Sequence, residues 1–229
     1  MVWSVTAEPL QFSAAVAWFR KRIAITKDAW RKMTARNRER AFTVAGVAQL
    51  DIVHHVWKAV DRAIATGSSL EDFKKDVLGS LASAWQGTVK DPPWRVETIF
   101  RTNVQNNYSA GRYIQATEPD ILADRPVWMF DAILDGRETP ICRTCDGVKR
   151  PADDEWWQTH MPPLHHNCRS SFIALSEKQA GKVTAKPPST PADDGFGRAP
   201  TPDAPAWKPD LTKYPAELAQ AFVEKDTAR

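Results

Sequence analysis

The sequence predicts a mainly α protein with a small α+β module toward its C-terminus and a disordered, Pro-rich tail. Three observations carry this. Apolar residues recur at helical spacing through the first half of the chain. A run of strand formers and two short Cys/His clips fill residues 119 to about 176. Between Lys186 and Pro209 there are seven prolines and few large apolar side chains, too little burial to offset the entropy of ordering. The chain divides naturally into residues 1–95, an N-terminal helical region; 96–176, a core with the clips; and 177–229, a flexible tail.

The first 45 residues hold one or two helices, with Phe12, Val16 and Phe19 as their apolar positions. From Val47 to Thr66 the signal is clearer: Leu50, Val53, Trp57, Val60 and Ile64 alternate steps of three and four, so one helical face is apolar. Gly67 ends the run, as a left-handed C-cap does. Ser69 with Asp72 three residues on reads as an N-cap, and Phe73, Val77, Leu81 and Trp85 continue a second stripe until Gly87. After Pro92-Pro93 a third helix begins near Trp94, turns Val96, Phe100 and Val104 inward, and leaves near Thr117. Val127 to Ala132 is rich in strand formers, Asp135-Gly136 marks a turn, residues 153–160 form a short helix or turn, and Cys168 to Leu175 returns as a strand. Tyr214 to Val223 can form a short terminal helix presenting Leu218 and Phe222, either a docking peptide or a frayed end.

Composition excludes little. In 229 residues, 42% hydrophobic and 26% charged is ordinary globular usage, and a net charge of +3 does not by itself imply nucleic acid. Ten tryptophans suggest aromatic anchors at packing or partner surfaces. No stretch approaches the roughly 20 apolar residues of a membrane span. The N-terminus lacks the basic start and apolar run of a signal peptide, so the cell interior is the default compartment.

All three cysteines lie in two clips, Cys142-Arg-Thr-Cys145 and His165-His166-Asn167-Cys168, with nineteen residues between them. Two thiolates from one turn and an imidazole and thiolate from another are the donors a structural Zn²⁺ takes in a closed tetrahedron. A module of fewer than 60 residues with little core of its own is one that such an ion would hold together. The alternatives are buried cysteines acting as small hydrophobes, or a disulfide with one thiol left over, which suits a secreted scaffold poorly. His165 gives the x2 spacing to Cys168; His166 beside it leaves the choice of histidine open.

Other features carry less. Residues 20–40 hold nine Lys or Arg against Asp28 and Glu39. Arg20, Lys21, Arg22, Arg31, Lys32 and Arg36 could meet double-stranded DNA phosphates or an acidic partner, or form the solvated side of a helix. Arg101 and Arg112, eleven apart, share a helix side and can tie it to the clip module, and Gly111 allows close approach of another backbone. His54-His55 has no neighbouring cysteine clip and reads as boundary packing. A deaminase zinc site is excluded, because no His-x-Glu precedes the cysteine clip. A His-Asn-His-type nuclease with a zinc knuckle is the alternative to a structural role, but its constellation is incomplete: only His160 and His166 would remain for chemistry.

Thr98-Ile99-Phe100-Arg101-Thr102-Asn103 is followed by Ala110-Gly111-Arg112-Tyr113, Trp128-x-x-Asp131, Cys142-x2-Cys145-x-Gly147 and Pro162-Pro163-x-His165-x-Asn167-Cys168-Arg169. This ordered set resembles the phage head-morphogenesis family, the Mu F-like minor head proteins, over roughly residues 10 to 175. Arg40 to Gly46 and Ala152 to His160 look like Mu-type members too. Two positions depart from the pattern: His166 stands where proline commonly follows the histidine, and Ser170 where many members have a further cysteine.

The resemblance implies a non-enzymatic minor structural protein of a tailed-phage or prophage head, acting in head assembly and DNA packaging or delivery. Its partners would be portal and capsid proteins, with the tail able to dock on another virion protein. Its location would be the capsid interior or portal, and the bacterial host cytoplasm during assembly. A delivery domain of the kind fused to toxins is a third reading, disfavoured because too little chain follows residue 176. On the same basis Arg101, Gly111, Arg112 and Asp131 are structural or partner positions, and Cys142, Cys145, His165 and Cys168 the Zn²⁺ ligands.

Overall fold

The structure is a computed structural model and describes residues 12–33, 41–201 and 220. It is mainly helical, with two small sheets. In chain order the elements are α1 (Ser13–Arg20), β1 (Ile23–Ala24), α2 (Lys27–Arg31), β2 (Ala41–Phe42), α3 (Leu50–Thr66), α4 (Leu70–Trp85), α5 (Pro92–Ala116) and α6 (Pro119–Asp124). They continue with β3 (Val127–Asp131), α7 (Pro140–Cys145), β4 (Lys149–Pro151), α8 (Trp157–His160), β5 (Ser171–Leu175) and α9 (Glu177–Ala180).

Helices α1, α3, α4 and α5 enclose the first core. The α4 stripe is wholly inside, with Phe73, Val77, Leu81 and Trp85 all buried. They meet Val53, Val56, Trp57, Val60 and Ile64 of α3. The α3 end behaves as its sequence implies: Gly67 is left-handed, with φ 69°, and its amide closes on Ala63. Ser69 and Asp72 form a reciprocal capping box at the start of α4. Helix α5 starts at Pro92, with the Asp91 side chain accepting from the Trp94 amide, and Val96 is fully buried. Phe100 and Val104 line the same core but remain partly exposed. Two of the buried indoles satisfy their N–H groups at loop carbonyls: Trp57 Nε1 donates to Arg22 O and Trp85 Nε1 to Ala45 O, each at 3.1 Å.

Gly111 sets the distance between α5 and α1. A Cβ built there would lie 2.7 Å from the Ala15 amide nitrogen, closer than real Cβ atoms come. The close approach expected of this glycine is therefore made by the first helix of the chain.

The second core belongs to the clip module. Its antiparallel sheet has the order β4-β3-β5, with Phe130 opposite Phe172 and Trp128 opposite Ala174. Alternation turns Trp128 and Phe130 inward, where they join Trp156, Trp157, Leu164, Phe172 and the three cysteines. Asp131, at the end of β3, pairs with Ser171 and is half-buried. Helix α5 serves both cores, since Val96 lies in the first and Ala116 in the second.

One expectation needs correction. The linker anticipated from Lys186 onward is in place up to residue 201, as an irregular segment laid across the clip module. Its contacts use main-chain groups: the Trp156 indole donates to Pro188 O at 2.7 Å, the Asp193 amide to Leu164 O at 2.9 Å and the Gly197 amide to Pro163 O at 3.1 Å. Carbonyls and amides hold it where apolar side chains are scarce. Arg36 and the proposed helix Tyr214–Val223, as a helix, lie outside the described residues.

Candidate metal centre

Thr139 precedes α7, and Pro140 at its first turn supplies the φ a helix start needs. This short helix buries both Cys142 and Cys145. The second clip is a tight turn in which the Cys168 amide closes on His165 O at 3.3 Å. Asn167 takes the left-handed conformation there, with φ 57°, one that Asn tolerates better than most residues. The clip is moored to α5: the Asn167 amide donates to Thr102 Oγ1 and its side-chain amide to Thr98 Oγ1, both at 3.2 Å.

The ligand atoms of Cys142, His165 and Cys168 converge within 4.8 Å of one another. Cys142 Sγ lies 3.7 Å from Cys168 Sγ and 3.2 Å from His165 Nε2. Tetrahedral zinc with ordinary bond lengths separates two sulfurs by about 3.8 Å and a sulfur from a nitrogen by about 3.6 Å. The three donors thus fit the ion in type and nearly in spacing. Cys145, buried beside them, has its sulfur outside that group.

His165 Nδ1 sits 2.7 Å from the His166 carbonyl, which can only accept. We assign the ring proton to Nδ1, leaving the Nε2 lone pair directed at the cysteines, as metal-binding histidines are commonly held. Thr139 Oγ1, 2.9 Å from Nε2, donates to it. His166 faces elsewhere, edge-on to Phe196 with centroids 4.9 Å apart. Of the two adjacent histidines it is His165 that the fold places at the cluster.

Charge at the cluster is uneven. The Cys142 thiol donates to Cys168, so the Cys168 thiol is pushed well down, helped by His165 and by backbone amides, while Cys142 is pushed well up. Burial raises Cys145 to about 11. His165 is raised, first by Cys168 and then by the His166 carbonyl and the Asp193 carboxylate. Two sulfurs and one imidazole nitrogen converging on a point suit a soft or borderline cation.

Around the cluster, Asp135 accepts both terminal guanidinium nitrogens of Arg169 at 2.7 Å and is also paired with Arg137, which together hold its carboxyl far below the usual range. Ser170 is buried, and its hydroxyl hydrogen-bonds Cys142. Sequence reasoning treated Ser170 only as a missing ligand and did not notice Thr139.

The sequence-derived α5 residues divide. Arg112 reaches the module, donating to Phe172 O at 3.2 Å. Arg101 does not: it donates to Glu97 at 2.7 Å and is half exposed. The mooring instead comes from Thr98, Thr102, Gln105 and Arg112, with Gln105 donating to Ser170 O at 2.8 Å. Their steps of four, three and seven mark one helix face. On the other flank of the sheet Thr184 exchanges hydrogen bonds with Lys149 of β4.

In the basic stretch, Arg20 pairs with Asp61 at 2.9 Å and Arg31 with Asp28 at 3.3 Å, while Lys21 and Lys32 are exposed and Arg22 is half-buried. The histidines a nuclease would need are engaged otherwise. His160 is buried and stacked on Trp156, with Nε2 2.9 Å from Thr190 O and Nδ1 2.8 Å from the Thr159 hydroxyl. Among the described residues no helix is long and apolar enough to cross a membrane.

A helical bundle is joined through one long helix to a β module that carries both Cys/His clips. Residues 54–173 match the family described as Phage Mu protein F like protein, and the chain belongs to that family. It is 34% identical over 177 residues to the putative capsid assembly protein F of Escherichia phage Mu, covering 71% of this chain and 40% of that protein. It is 32% identical over 158 residues to the Mu-like prophage FluMu F protein of Haemophilus influenzae, covering 65% and 38%. The chain therefore spans about two fifths of the length of these curated relatives. No solved structure matches.

Proposed function

We propose that this chain is a non-enzymatic minor head protein, acting in capsid assembly of a tailed phage or prophage. Membership of the Mu F-like family across the clip module, together with a relative named for capsid assembly, carries this reading. Its partners are portal and capsid proteins, its place is the virion interior, reached from the host cytoplasm, and it contributes to DNA packaging or delivery. Among the described residues of the basic stretch, Lys21 and Lys32 are exposed cations able to meet DNA phosphates.

Within that role the clips hold one structural Zn²⁺, bound by Cys142, His165 and Cys168 and completed by Cys145. The ion supplies cross-links to a module whose core is small, so losing it unfolds the module rather than abolishing a reaction. The converging sulfurs and the Nε2 lone pair support this.

The test is complementation in the encoding phage or prophage with this gene disrupted. Wild-type protein restores filled heads, whereas Cys168→Ser protein does not. Filled, infectious heads formed without the protein would end the head-assembly reading. Elemental analysis of the purified protein, returning one zinc per chain, tests the metal separately.

A further inference from the structure

Beyond the two clips, a third piece of chain touches the ligand-bearing turn. Residues 193–197 lie against Pro163–His166: the Asp193 amide donates to Leu164 O at 2.9 Å, and the Gly197 amide to Pro163 O at 3.1 Å. The Met161 amide returns a bond to Gly197 O at 3.0 Å. Phe196 meets His166 edge-on, and the His166 carbonyl is the group that accepts from His165 Nδ1. A path of direct contacts therefore runs from Phe196 through His166 to the imidazole that faces the two sulfurs.

Gly197 is buried in this contact, with φ +76°, and a Cβ there would overlap the Thr159 carbonyl oxygen and the Ala192 side chain. No L side chain fits without moving the segment. The upstream end is fixed as well: Thr184 pairs with Lys149, and Pro188 O and Thr190 O receive the Trp156 and His160 ring N–H groups. Trp156 and His160 belong to the aromatic layer beneath the clips.

We propose that residues 184–197 are a positioning element of the metal centre, with Phe196 and Gly197 holding the His166 carbonyl so that His165 presents Nε2 to the ion. The unit that retains metal then extends past residue 176, and past the family match ending at residue 173, to residue 197. Outer partners of this kind commonly change metal affinity by about 10–100-fold when removed. This inference rests on the metal reading above.

The experiment uses the full chain loaded with Zn²⁺ or Co²⁺, comparing wild type with Gly197→Ala and the milder Phe196→Ala. Metal transfer to a chromophoric chelator gives the release rate, and Co²⁺ absorption reports the ligand field. Both variants are expected to release metal about tenfold faster or more. Their Co²⁺ bands should shift, while the far-ultraviolet circular dichroism of the helical bundle stays as in wild type. Release rates and Co²⁺ bands equal to wild type in both variants would overturn the positioning role and leave the metal site standing. If wild type takes up neither ion, the metal reading fails and this inference falls with it. Should Gly197→Ala lose its bundle signal, Phe196→Ala alone decides, because Phe196 is only half-buried.

Discussion

Gly111 of α5 faces the backbone of Ala15 in α1, with room for a hydrogen and not for a methyl group: a Cβ at 111 would sit 2.7 Å from the Ala15 amide nitrogen. Substituting Gly111→Ala should separate the two helices and cost about 1–3 kcal/mol, the usual range for overpacking. Urea denaturation followed by helical signal measures this. An unchanged midpoint would mean that the bundle relaxes freely at this crossing.

The cysteines should not be equivalent. Cys142→Ser and Cys168→Ser remove donors from the converged cluster and should abolish stoichiometric zinc. Cys145→Ser removes a sulfur lying outside it and should weaken zinc while retaining part of it. Elemental analysis after desalting separates the three. Full zinc affinity in Cys145→Ser would assign Cys145 to the core alone.

Ser170 is buried against Cys142, so Ser170→Cys places a further soft donor beside the cluster. We expect tighter retention of soft cations, read as slower Cd²⁺ transfer to a chelator. A rate equal to wild type would show that the side chain at 170 cannot turn toward the ion.

The Asp135–Arg169 pair gives a pH signature. Its two arginine partners, Arg169 first and Arg137 second, depress the Asp135 carboxyl in the folded state. The stabilisation is fully present above the unfolded carboxyl pKa of about 3.9 and is lost as pH falls from there toward the depressed folded value. Thermal melting of wild type and Asp135→Asn should differ at pH 7, and the difference should shrink progressively as pH falls below about 4. A difference that persists unchanged into strong acid would point to another group.

Arg112 joins α5 to β5 through the Phe172 carbonyl. Arg112→Ala leaves that acceptor without its charged donor and should cost about 1.5–3 kcal/mol, whereas Arg101→Ala, on a half-exposed residue paired only with Glu97, should cost under about 1 kcal/mol. Denaturant midpoints of the two variants test the division. Equal losses would mean that Arg101 supports the module by a route other than its visible contact.

How much the sequence disclosed depended on whether a contact leaves a side-chain pattern. Helix α4 was legible at both levels, because its stripe and its Ser69–Asp72 box are apolar periodicity and capping chemistry. The convergence of Cys142, His165 and Cys168 was legible, since donor types and clip spacing lie in the sequence, although the clip spacing concealed the different surroundings of Cys142 and Cys145. The α5 mooring was obscured because Thr98, Thr102 and Gln105 are residues that ordinarily face water. The segment around residues 184–197 was misjudged for a different reason: it is held through carbonyls and amides that every residue carries, so composition could not reveal its place.

Both flanks of the three-stranded sheet carry side-chain contacts, Arg112 at the Phe172 carbonyl of β5 and Thr184 at Lys149 of β4. Open strand edges template pairing with another chain and seed aggregation. Contacts at those flanks work against one copy of this protein extending another's sheet. Contact between copies is then favoured at side chains, whose shape and charge can choose a neighbour.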